Sequence, residues 1–193
     1  MSREHPSQPS VQIRAWSGRQ QELHAAAELY VTAFTEPPYD EDPEASRASF
    51  FDRVARYSSA KPDFRLMLAW NQTEVLGLAL GAGTPSGDWW RENIIAQLTP
   101  DDAEEWFDEK TFAVVELATS ASHRRSGIAS ALLSSLLEDI PYSTAVLSAY
   151  SEADDAQRFY RGQGWTLIAA GVHIGESPEL CVFGMHLNDS TRE

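Results

Sequence analysis

The chain has 193 residues, 42% of them hydrophobic, and a formal net charge of −14; that is enough for one well-buried core and too little for two comfortable domains. Such an acidic balance repels nucleic acid and anionic membranes and attracts cationic partners, while the single cysteine, Cys181, excludes an internal disulfide framework and a cysteine-rich zinc site. No run approaches the roughly 20 apolar residues that span a bilayer, and residues 1–10 are polar with no apolar signal core, so a cytoplasmic protein with a disordered N-terminal tail is expected.

Val11–Trp16 alternates as a short strand, and Ser17 is placed to cap a helix from Gln20 to Phe34 whose apolar residues Leu23, Ala27, Tyr30, Val31 and Phe34 recur at helical spacing. The prolines of Thr35–Pro43 break it, because proline lacks an N–H and turns its predecessor away from helix. A second helix follows over Glu44–Tyr57. Phe64–Trp70 and Val75–Gly81 read as β runs joined by the hairpin-length Asn71–Glu74. Residues 83–110 form a long insertion with one or two short helices, since structureless loops of that length are uncommon.

Phe112–Thr119 is nearly continuous in apolar residues, which predicts a central strand covered on both faces. Ile128, Leu132, Leu133, Leu136, Leu137 and Ile140 give the next helix its buried stripe, and Pro141 stops it. Ala145–Tyr150 continues as a strand, which makes a right-handed parallel crossover with the one before. Ala153–Gly162 reads as a helix stopped at Gly164, and Trp165–Ala170 with Leu180–Leu187 closes the chain as a hairpin, leaving a tail over 188–193.

Between the apolar strand and the Leu-rich helix lies His123-Arg-Arg-Ser-Gly-Ile-Ala-Ser130. Small residues at a helix start leave its N–H groups open to an anion, and Arg124 and Arg125 add charged donors. The plain alternative is an ordinary strand-to-helix turn with its arginines in solvent. Glu116, inside the apolar strand, must be functional, paired or turned to solvent, because an unpaired buried carboxylate is costly.

The order of strand, Arg124-x-x-Gly127-x-Ala129, Leu-rich helix, strand and Ala156-Gln-Arg-Phe-Tyr160-Arg-Gly-Gln-Gly164-Trp165 closely resembles the GNAT superfamily of acyl-CoA-dependent N-acyltransferases. The resemblance implies an α/β (α+β) fold spanning 11–187: a mixed, mostly antiparallel sheet of six to seven strands flanked by about four helices. It also implies a V-shaped opening between the two central parallel strands, made by a bulge within Phe112–Thr119. By the same resemblance Arg124, Arg125, Ser126, Gly127, Ile128, Ala129 and Ser130 hold the pyrophosphate of acetyl-CoA, and Leu117, Ala118 and Thr119 pair with its pantetheine arm. Ala153 and Asp155 also fall at the cofactor, although Ala153 stands where members commonly carry an asparagine.

Tyr160 matches a tyrosine that in many members protonates the departing thiolate, and Glu116 matches a frequent location of the base. The implied activity is transfer of an acetyl group from acetyl-CoA to a primary amine by direct attack in a ternary complex, without a metal. A non-catalytic acyl-CoA sensor of the same fold is the alternative. For the acceptor, Phe34 and Tyr39 stand in an acidic stretch with Glu36, Asp40, Glu41, Asp42 and Glu44, which suits a small cationic amine; a peptide amine is a further option. Trp89 and Trp90 offer a lid or a dimer contact, so the expected state is monomer or homodimer; a satellite apolar cluster is the structural alternative.

Overall fold

The computed structural model describes residues 11–187, so the tails expected at 1–10 and 188–193 lie outside the described residues. The chain runs β1 (Gln12–Ala15), α1 (Gln20–Phe34), α2 (Pro43–Ala60), β2 (Arg65–Trp70), β3 (Val75–Gly83), α3 (Trp89–Ile95), α4 (Pro100–Trp106), β4 (Thr111–Thr119), α5 (Ile128–Leu137), β5 (Thr144–Tyr150), α6 (Asp154–Gly162), β6 (Thr166–Val172) and β7 (Leu180–His186). Seven strands form one sheet in the order β1-β2-β3-β4-β5-β7-β6. Among the described residues only β4 and β5 pair in parallel; every other pairing there is antiparallel. Four longer helices flank the sheet, and the two short ones lie in the expected insertion.

Two local expectations fail for identifiable reasons. Ser17 does not cap α1: it stands ahead of a left-handed Gly18, and Arg19 occupies the N-cap without a side-chain bond. Instead the Glu22 carboxylate accepts from the Ser17 N–H at 3.1 Å, from its hydroxyl at 2.9 Å and from Arg14 at 2.9 Å, so the helix reaches back to fix the strand before it. α5 ends at Leu137 rather than Ile140. Arg65 of β2 donates to the carbonyl of Glu138 at 2.6 Å and Asp139 turns left-handed, which satisfies that end of the helix before Pro141 is reached. By contrast α2 begins as its sequence asks, with Asp42 accepting from the Ala45 N–H at 2.9 Å and Pro43 in the first turn.

One face of the sheet carries α5 and α6 over Phe112, Val114, Leu147 and Phe183. The opposite face carries α1 and α2 over Leu66, Leu68, Leu78, Leu80 and Ala118, and beyond β4 it carries α3 and α4 over Ala113, Val146 and Val182. Gly77 makes the α5 contact possible, since a Cβ there would stand 2.8 Å from Leu132 Cδ1 and 3.0 Å from the Ala118 carbonyl.

Along β4, Leu80 of β3 pairs with Glu116 but Gly81 pairs with Val114, which leaves Val115 as an extra residue in the ladder. This is the bulge expected within Phe112–Thr119. Strand side chains alternate, so one extra residue exchanges the faces that all later residues address. Phe112 and Val114 therefore face α5, whereas Ala118 faces α1 and α2 and Glu116 is paired from α2.

β4 and β5 pair only over Thr111–Ala113 and Thr144–Val146. Past Ala113 the two strands part, and the edge of β4 that faced β5 has no strand partner among the described residues while its other edge stays paired to β3 as far as Thr119.

Candidate active site

The split between β4 and β5 exposes backbone groups that ask for a partner. Ser120 donates its N–H to the Leu76 carbonyl of β3 at 2.9 Å. Backbone groups alternate in direction along a strand, so Ala118 and Glu116 also address β3, and Leu117 and Thr119 present their N–H and C=O to the split. Of Leu117, Ala118 and Thr119, the first and the last thus turn their backbone groups to the split.

At the end of β4 the chain makes a single 3-10 turn over Ala121–His123 and then takes left-handed conformations at Arg125 (φ 58°) and Gly127 (φ 86°) before α5 starts. Those two reversals aim successive amides outward. The N–H groups of Arg125 through Ser130 have no acceptor among the described residues; the first satisfied one is that of Ala131, which donates to Gly127 at 3.0 Å. Ser126 instead uses its hydroxyl to hold the turn, donating to the His123 carbonyl. Arg124 through Gly127 are exposed, and Ile128 anchors the turn in the core. A row of free amides at the positive end of a ten-residue helix fits an anionic group. The unpaired strand edge leading to it fits a linear, amide-bearing arm. Arg125 adds an exposed cation, while Arg124 is already engaged: its Nη2 lies 2.7 Å from Glu36 Oε2 in the connection between α1 and α2.

Tyr160, on α6, is 9% exposed and packed with Trp165 and Phe183. Burial, reinforced by the nearby Tyr39 phenol, holds its pKa well above that of a free phenol. Tyr39 sits on the α1–α2 connection and Tyr160 on α6, so this influence reaches from one face of the sheet to the other. Tyr39 packs against Phe34 at 4.8 Å and Tyr150 at 5.3 Å, and Phe34 stacks on Tyr30 at 4.4 Å. The result is an aromatic wall lining the α1–α2 side.

Glu116 is 9% exposed and ion-paired through Oε1 with Arg53 of α2. Arg53 also donates to the Tyr30 hydroxyl at 3.3 Å. Arg53 is the one partner given to Glu116 by the described residues, so the buried carboxylate is charge-compensated. Arg53, Tyr30 and Tyr150 were not singled out from sequence; each sits on an ordinary-looking helix or strand. Glu41 belongs with them, since its charge raises the pKa values of Tyr30, Tyr39 and Tyr150 after burial has done most of the work.

The remaining expected residues are more dispersed. Ala153 is buried at the start of α6, and Asp155 projects into solvent, paired with Arg158 at 2.6 Å. Trp90 lies over Phe107 and borders a cavity next to the split, whereas Trp89 is 64% exposed. The acidic stretch is largely occupied within the protein: Glu36 holds Arg124, Asp42 caps α2, and Glu41 accepts from Ser46.

The acetyltransferase (GNAT) family model matches residues 23–165. No curated protein sequence matches the chain. Among solved structures, an acetyltransferase from Streptococcus agalactiae is 14% identical, with 92% of this chain and 98% of that chain covered and a TM-score of 0.66. A GNAT-family acetyltransferase from Bacillus cereus is 13% identical over 92% of this chain and 97% of that chain, with a TM-score of 0.60. The yncA protein of Salmonella typhimurium, solved with its cofactor acetyl-CoA, is 17% identical over 95% and 98% of the two chains, with a TM-score of 0.58. These likenesses show a common fold, and the family match over most of the chain places it in the acetyltransferase (GNAT) family. Among the described residues no helix is long and apolar enough to cross a membrane.

Proposed function

We propose that the chain transfers an acetyl group from acetyl-CoA to a small primary amine by direct attack in a ternary complex. The observation that carries this reading is the unpaired edge of β4. It runs from a buried carboxylate at Glu116 to a turn of free amides at Arg125–Ser130, and α6 on the same side as α5 supplies Tyr160, whose proton burial retains.

Acetyl-CoA supplies an acyl group activated as a thioester. The amides of Arg125–Ser130 and the Arg125 guanidinium hold the pyrophosphate, and Arg124 joins them as Glu36 yields. Leu117 and Thr119 hold the pantetheine arm through their backbone groups, which fixes the reacting end beside the bulge. A protonated amine is not a nucleophile, so the acceptor must shed a proton; the Glu116 carboxylate receives it, directly or through a water. The Leu117 N–H, fixed next to the bulge, stabilises the developing oxyanion. Tyr160 keeps its hydroxyl proton at neutral pH and gives it to the departing sulfur. The aromatic wall of Phe34, Tyr39 and Tyr150 shields this chemistry from water and accommodates the cationic acceptor before deprotonation.

Steady CoA release from acetyl-CoA across a panel of primary amines tests the reading, with Tyr160→Phe as the control. The variant is expected to lose about 100-fold in kcat, the usual scale of one general acid, with acetyl-CoA affinity retained. Tight acetyl-CoA binding with no turnover on any amine would point to the sensor function instead.

A further inference from the structure

On the α1–α2 side of the sheet, a cavity of about 50 Å³ lies against the point where β4 and β5 separate. Its wall includes Val115, the bulge residue next to Glu116, and Ser148, the second residue of β5 beyond the last β4–β5 pair. Lys61, Thr84, Asp88 and Trp90 complete the part that matters. Its polar groups are unequally satisfied. Asp88 caps α3 through the N–H groups of Trp90 and Arg91 and is ion-paired with Lys61, so its acceptor capacity is committed. Thr84 differs: it is 3% exposed, its N–H donates to the Thr111 carbonyl and its own carbonyl accepts from Arg91, yet its hydroxyl has no partner.

A buried hydroxyl without a partner is costly, and a site built to hydrogen-bond a substrate discriminates through that cost. The charges on the wall decide the kind of group that completes it. A second ammonium would stand against Lys61, and a carboxylate would stand against Asp88. A neutral hydroxyl meets neither objection, and it both donates to and accepts from Thr84 and Ser148. The volume is enough for such a group and too small for a ring.

We propose that this cavity is a specificity subsite for the acceptor, which takes a neutral hydroxyl carried close to the attacking amine, so that short amino alcohols are preferred. The assignment rests on the acetyl-transfer reading and adds the acceptor class to it. Ethanolamine, propylamine and ethylenediamine differ in the group that reaches the cavity and in the basicity of the attacking amine, so their kcat/KM values with acetyl-CoA, each referred to the concentration of unprotonated amine, form the test.

Wild-type protein is expected to favour ethanolamine over propylamine by about tenfold, the factor for one well-formed hydrogen bond, and to treat ethylenediamine no better than propylamine. In Thr84→Val, which keeps the shape and removes the hydroxyl, the ethanolamine-to-propylamine ratio should fall to within about twofold of one. Its Tm should equal or exceed that of the wild type, because an unpartnered polar atom has been replaced by an apolar one. An unchanged ratio in Thr84→Val, a wild-type preference for propylamine or ethylenediamine, or a lowered Tm would overturn the subsite. The last result would assign the hydroxyl to a structural water. Turnover of none of the three amines would also overturn it, while acetyl transfer itself falls only if a wider amine panel releases no CoA.

Discussion

Replacing Arg53 with methionine keeps much of the side-chain stem and removes the cation that Glu116 faces. The carboxylate is 9% exposed and the Arg53 side chain 22% exposed. Breaking a fully buried pair by deleting one partner costs about 3–5 kcal/mol, and the solvent contact retained by Arg53 lowers the figure to about 2 kcal/mol. For a chain of this length that is a fall of about 4–8 °C in Tm. Glu116→Gln should cost less, about 1 kcal/mol, because Arg53 keeps its bonds to Tyr30 and Ser49, each at 3.3 Å. In the double variant neither charge is left alone, so its loss should be smaller than the sum of the two by at least about 1 kcal/mol. Urea denaturation of the four proteins with a shared slope measures the coupling directly. Strict additivity would refute the argument, since it would mean that Glu116 never relied on Arg53.

Gly127→Ala holds a side chain at φ 86°, which costs about 1 kcal/mol of backbone strain, but no atom lies within 4 Å of the new Cβ, so the fold survives. The methyl group stands among the free amides and should weaken acetyl-CoA binding as measured by calorimetry; an unchanged Kd would remove the turn from the cofactor site. At high pH, stability should be lost through the buried tyrosines. Burial, opposed by Arg53 and helped by Glu41 and Tyr150, pushes Tyr30 from 10.0 up to about 12. The folded state therefore holds a proton that the unfolded chain releases, so this contribution is complete below pH 10 and disappears as pH rises to about 12. Denaturation midpoints stepped through that window should fall, less steeply in Tyr30→Phe, and a flat profile in both proteins would contradict the assignment.

Sequence patterns reach as far as the local physics that produces them. The apolar run of β4, the leucine stripe of α5 and the small residues around Gly127 each carry their signal within one element, and each is found where expected. The bulge was foreseen in β4 but not its position at Val115, because a ladder irregularity depends on the partner strand's register. Arg53 has nothing in its helix to distinguish it from Arg47 or Arg56; only the packing of α2 over β4 brings it to Glu116. Tyr150 ends a strand and gains its role from Tyr39, more than a hundred residues away. The acidic stretch shows the converse: its charges are real, yet capping and ion pairing within the protein occupy several of them.

The extra residue in β4 divides the strand into two halves of opposite parity, and that has a consequence for how this site can change. Point substitution alters which group stands at position 116 but never the direction in which it looks. A change of register does the reverse. Pairing residue for residue beyond Val114, with no bulge, would turn the carboxylate toward the leucines of α5 and carry Leu117 to Arg53, with the composition of the strand untouched. The chemistry of this cleft is therefore held by the register of the ladder as much as by the identities of its residues, and a one-residue slip there reaches further than an exchange of side chains.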